Sequence, residues 1–149
     1  MDFMEEAARL AREGVAKGEG GPFGAVVVKD GAVVAGAHNR VVAAKDPTAH
    51  AEVLAIREAC RALGTFKLDG CEIFTTCEPC PMCLAAIHWA RLDRVHYALT
   101  RHDAAAIGFD DARIHAAMTR PLVPVVKVES AAARAVFDQW RGDPDRVEY

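Results

Sequence analysis

The sequence predicts an α/β protein: a three-layer α/β/α sandwich on a five-stranded mixed sheet, in one domain spanning residues 1–149. Three observations predict it. Two β-rich runs meet at Asp30-Gly31, a strong hairpin signal, so the sheet starts antiparallel. Strand-like and helix-like stretches then alternate, which places helices on both faces of a partly parallel sheet. The composition is 52% hydrophobic but only 7% aromatic, with much Ala and Val, which suits tightly packed layers. A chain of 149 residues is long enough to bury such a core.

Each element has its own reason. Residues 2–17 place Phe3, Met4, Ala7, Leu10, Ala11 and Val15 at helical spacing, with Asp2, Glu5 and Glu6 where the helix dipole favours acids. The run from Gly18 to Pro22 breaks this helix. Residues 23–29 and 32–38 are the hairpin strands. A loop then ends in Asp46-Pro47-Thr48, with Thr48 the expected cap of a helix whose stripe is Val53, Ile56, Cys60 and Leu63 and whose stop is Gly64. Residues 71–76 read as a third strand. Pro81 opens the next helix, at a first position that suits proline. That helix runs to about Arg91 and is apolar nearly all round, which predicts burial. Residues 95–99 are a fourth strand, and 103–118 are short Ala-rich helices broken at Gly108. Residues 122–128, interrupted by Pro124, are a weaker fifth strand. A last helix covers 131–141 and carries Val136, Phe137 and Trp140. The chain has no internal repeat, low-complexity run or linker.

Charge and cysteine usage narrow the chemistry. The formal net charge is −3, with 18 Lys and Arg against 21 Asp and Glu. Nucleic-acid binders carry a basic patch or stripe, so no nucleic-acid partner is expected. A small, nearly neutral substrate needs no such field. No apolar run approaches the ~20 residues of a membrane span, and no secretory signal is evident, so a cytoplasmic location is expected. Thiols stay reduced there. Of the five cysteines, Cys77, Cys80 and Cys83 fall within seven residues, which points to a metal. Cys60 and Cys71 stand apart as small buried hydrophobes.

The metal pattern joins His50-Ala51-Glu52 to Glu78-Pro79-Cys80-Pro81-Met82-Cys83. Cys80 and Cys83 are three apart on a first helical turn, so both thiolates share one face. Two thiolates and one imidazole favour zinc over magnesium or calcium. Three protein ligands leave a fourth tetrahedral position for water, as catalytic zinc requires. Glu52 would then be the proton carrier. Residues two apart, such as His50 and Glu52, can serve one site only if it lies off the helix end. The competing arrangement closes a Cys3His structural site through Cys77, which would make the chain a zinc-dependent binding module and leave Glu52 without a task. Nothing ties His38, His88, His96, His102 or His115 to the metal pattern.

These residues match the His-x-Glu and Pro-Cys-x-x-Cys signature of the zinc-dependent cytidine/deoxycytidylate deaminase superfamily. Within it the chain resembles the bacterial guanine deaminases, through the run from Gly20 to Val27, the run from Asp46 to Glu52, Trp89-Ala90-Arg91, the run from Gly108 to Asp111, Phe137, Trp140-Arg141 and Glu148-Tyr149. The tRNA adenosine deaminases share the zinc core but differ after Cys83. The resemblance implies a cytidine deaminase-like fold, one Zn2+ per chain on His50, Cys80 and Cys83, and hydrolysis of guanine to xanthine and ammonia. It implies that Glu52 shuttles protons and Asp111 assists the leaving amine. Asn39 would hydrogen-bond the purine, while Phe23, Ala51, Trp89 and Tyr149 would line or close the pocket. It also implies a homodimer, with C-terminal segments exchanged between subunits. Adenine, cytosine or an amino-triazine stay open as alternative substrates, as does a tRNA adenosine.

Overall fold

The computed structural model describes residues 1–149. Asp2 starts the first helix, accepting hydrogen bonds from the backbone N–H groups of Met4 (2.9 Å) and Glu5 (3.3 Å) that the first turn leaves without partners. This helix, α1 (Phe3–Ala16), lies on β1 (Gly24–Lys29) at unusually short range. A Cβ on Gly24 would stand 2.0 Å from the Ala7 carbonyl oxygen, so only glycine permits the approach. Asp30 and Gly31 take φ of 49° and 77°, the left-handed pair a tight hairpin turn requires, and lead into β2 (Ala32–His38).

A single turn, α2 (Val41–Ala44), precedes α3 (Ala51–Leu63), which Gly64 ends with φ +65°. Then come β3 (Cys71–Cys77), α4 (Pro81–Trp89) and β4 (Arg94–Leu99). The sheet order is β2-β1-β3-β4. β1 is antiparallel to both β2 and β3, whereas β3 and β4 run parallel. Alternation along β1 feeds two cores. Val26 and Val28 meet Ala7 under α1, while Ala25 and Val27 join Ile73, Ala51, Ala55, Ala59 and Ile87 under α3 and α4. The three-layer α/β/α expectation is met.

Three expectations are corrected. The sheet has four strands, not five: residues 122–128 pair with nothing in their own chain. Pro124 removes a ladder donor from the middle of that run, and Val123, Val125, Val126 and Val128 all face solvent. The cap before α3 is His50 rather than Thr48, whose N–H and hydroxyl instead donate to Asp46 Oδ1 (2.8 and 2.7 Å) in a local turn. And α4 is not buried all round; it buries Cys83 and Ile87 along one stripe and exposes Leu84 and Trp89. Beyond β4 lie α5 (Arg101–Ala106) and α6 (Ala112–Ala117), separated at Gly108, and α7 (Ala131–Gly142). α7 leaves Val136, Phe137 and Trp140 exposed. No helix is long and apolar enough to cross a membrane.

Candidate active site

The site forms where two helices begin. His50 precedes α3 with φ −72° and ψ 151°, and Cys80 precedes α4 with φ −65° and ψ 167°. Both occupy N-cap positions, yet neither side chain caps its own helix, so each can turn toward the other. Pro81 fixes the first position of α4, and Cys83 follows on the same turn. His50 Nδ1 lies 3.7 Å from Cys80 Sγ and 3.5 Å from Cys83 Sγ. All three ligand atoms fall within 4.8 Å of one another.

These distances fit zinc. Bonds of about 2.3 Å to sulfur and 2.05 Å to nitrogen, at a tetrahedral angle, separate S and N by about 3.6 Å. Both S···N distances match that edge. Cys77 does not join the cluster: its thiol is buried and donates to the Thr100 carbonyl oxygen (3.6 Å). Burial, reinforced by the negative charges of Glu52 and Glu78, pushes that thiol up to about 11. The site therefore has three ligands, not four, and the closed Cys3His arrangement is not formed.

Charge within the cluster is divided unequally. A hydrogen bond from the Cys83 thiol, with His50 alongside, draws Cys80 down to about 4 despite its burial. Cys83 is pushed upward by sharing with Cys80, by burial and by the nearby Glu52 carboxylate. The hydrogen bond to Cys80 raises His50. Glu52, on the first turn of α3 and only 6% exposed, is raised chiefly by desolvation. Its Oε2 lies 3.4 Å from Cys83 Sγ, and its Oε1 accepts from the Thr75 hydroxyl at 3.2 Å. A buried carboxyl whose affinity for a proton is raised by desolvation, set beside the metal ligands, is a group suited to take and return a proton.

The other expected residues are spread more widely. Asn39 is 5% exposed, and its Oδ1 accepts from the backbone N–H groups of Gly21 (3.3 Å) and Val41 (3.1 Å). That leaves its amide N–H groups as donors. A Cβ on Gly20 would meet Asn39 Oδ1 at 2.1 Å, so glycine makes room for this clamp. Phe23 sits against Phe109, edge to face at 5.0 Å between centroids, and Ala51 is fully buried at the start of α3. Trp89 ends α4, nine residues and therefore about 13 Å of helix from Cys80. It meets Tyr149 at 6.1 Å in an outer apolar groove with Phe66, Val53 and Ile56. Asp111 bonds His115 (3.0 Å), one turn along, rather than the Glu52 cluster. Sequence reading missed Phe109 and Thr75. Thr75 was within reach, because strand alternation puts it on the same buried face as Cys71 and Ile73, where a polar side chain must find a partner.

A sequence profile described as the cytidine and deoxycytidylate deaminase zinc-binding region matches residues 1–99, and the chain belongs to that family. Its three-ligand cluster is accordingly a zinc site. Guanine deaminase from Bacillus subtilis is 49% identical over 99% of this chain and 97% of its own length. The X-ray structure of guanine deaminase from that organism superposes with a TM-score of 0.94, at 49% identity, over 99% of this chain and 96% of the other. A tRNA-specific adenosine deaminase from Aquifex aeolicus is also 49% identical, but over only 64% of this chain and 63% of its own.

Proposed function

We propose that the protein hydrolyses guanine to xanthine and ammonia. The observation that carries this reading is the likeness to guanine deaminase at 49% identity over 99% of the chain, where the tRNA-acting relative of equal identity matches 64% of it. His50, Cys80 and Cys83 would hold the zinc, which when bound would supply the Lewis acidity that makes water a usable nucleophile near neutral pH. Glu52 takes the proton of the attacking water at its carboxylate. It delivers that proton to N3 as C2 becomes tetrahedral, then takes the proton of the newly added hydroxyl and passes it to the amino group, so that ammonia leaves as the C2 carbonyl forms. Asn39, its oxygen engaged by the backbone, offers its amide N–H groups to the purine's acceptor edge. Phe23, braced by Phe109, and Ala51 shape the wall, and the site excludes water by burial.

The same reading gives Asp111 the relay to the amine, and gives Trp89 and Tyr149 the closing of the pocket. Trp89 stands at the far end of α4 from Cys80, which favours a pocket shared by two copies. The exposed apolar stretch from Leu122 to Trp140 favours a homodimer with exchanged C-terminal segments. Five free thiols suit the reducing cytoplasm.

Glu52→Gln tests the chemistry. The zinc-loaded variant is expected to keep one metal per chain and lose roughly 10³-fold or more in ammonia release from guanine. A wild-type protein that holds zinc but leaves guanine untouched would refute the substrate.

A further inference from the structure

Glu52 does not aim itself. It has three flexible torsions and sits on the first turn of α3, where helix geometry fixes only its backbone. Beyond the metal cluster and the backbone of Glu52 itself, its carboxylate meets the Thr75 hydroxyl, on the inner face of β3, at 3.2 Å. Thr75 is 1% exposed, so no bulk water competes for that bond. Its neighbour Thr76 points the other way and accepts from the Gly24 N–H (3.1 Å), a bond within the sheet. The two threonines therefore divide their work by strand alternation, one holding the sheet and the other reaching the site.

The Thr75 hydroxyl also lies 3.2 Å from the Cys77 carbonyl oxygen. One proton thus faces two acceptors, and it serves one at a time. A group of this kind directs Glu52 without locking it: when the carboxylate turns toward the reacting atoms, the hydroxyl donates to Cys77 and nothing buried is left unpaired. An amide or a cation here would hold the carboxylate more tightly, and a methyl would not hold it at all.

We propose that Thr75 is a positioning residue for the deamination, setting the direction of the Glu52 carboxylate through this shared hydroxyl. The inference rests on Glu52 being the proton carrier. Thr75→Val keeps shape and volume and removes only the hydroxyl; Thr75→Ser keeps the hydroxyl. With guanine, Thr75→Val is expected to lower kcat roughly 10- to 100-fold, the scale of a misaimed catalytic group. KM should stay within about twofold and zinc content at one per chain, and Thr75→Ser should recover most of kcat. Crystal structures supply a readout independent of turnover: Glu52 in one orientation in wild type and Thr75→Ser, displaced or split in Thr75→Val. Unchanged kcat in Thr75→Val, or Glu52 unmoved in its crystals, overturns the proposal. If Thr75→Val does not fold, Thr75→Ser and Thr75→Ala decide: equal kcat in both overturns it, and recovery in serine alone supports it. Should wild type not act on guanine, the substrate reading fails, while the crystals still judge whether Thr75 aims Glu52.

Discussion

At the scale of single residues, identity matters less than which way a side chain is turned. Cys77, Cys80 and Cys83 have the same chemistry and lie within seven positions, yet only the last two reach His50. Cys77 ends a strand, faces the buried side and donates a hydrogen bond to the Thr100 carbonyl oxygen. Two outcomes follow for this thiol. Cys77→Ala should retain one zinc per chain, measured by metal analysis, whereas a fourth ligand would take the metal with it. It should also change the alkaline stability profile. Folding raises this group from 9.0 to about 11, so the native state holds the proton more tightly than the unfolded chain. The resulting stability is full below about 9 and is lost as pH climbs through about 11. Denaturant midpoints measured from pH 8 to 11 should fall less steeply in Cys77→Ala than in wild type.

At the scale of elements, the readable features were those settled by local chemistry. Asp30-Gly31 fixes its hairpin because few residues tolerate two successive left-handed conformations, and Pro81 and Gly64 mark helix ends for equally local reasons. Packing was less legible. The composition of α4 suggests a helix apolar on all sides, but which faces are covered depends on neighbours that periodicity does not name. The cap of α3 was misplaced by two residues because His50, a poor capping residue, holds that position for the metal's sake. Gly24 looked like an ordinary strand residue, though its missing side chain sets the separation of α1 from β1. Gly24→Ala should therefore cost about 3 kcal/mol, from a collision with backbone rather than with a movable side chain. Urea unfolding measures it; a loss under about 0.5 kcal/mol, the range of an ordinary surface change, would show that α1 can shift freely.

At the scale of the molecule, the metal cluster and its carboxylate were legible because their spacing is dictated by two helix starts. The residues assigned to the pocket's outer wall, Trp89 and Tyr149, have no such spacing to mark them and were named by resemblance alone. Residues 122–128 show the same limit: they have strand-like composition, but no partner in their own sheet. If the wall is shared, two defective chains should repair each other. Glu52→Gln and Trp89→Ala, each inactive alone, should recover about one quarter of wild-type turnover when co-expressed, since half the pairs are mixed and each mixed pair owns one intact site. Mixtures no better than their parts would place the whole pocket in one chain. The pairing of His50 and Cys80 at the mouths of α3 and α4 reaches beyond catalysis. An ion bridging them adds a tie between two helices that already share a core, so metal binding and folding are linked equilibria. Each tenfold rise of free zinc above its dissociation constant would add about 1.4 kcal/mol to the native state, letting zinc supply govern how long the protein endures as well as whether it works.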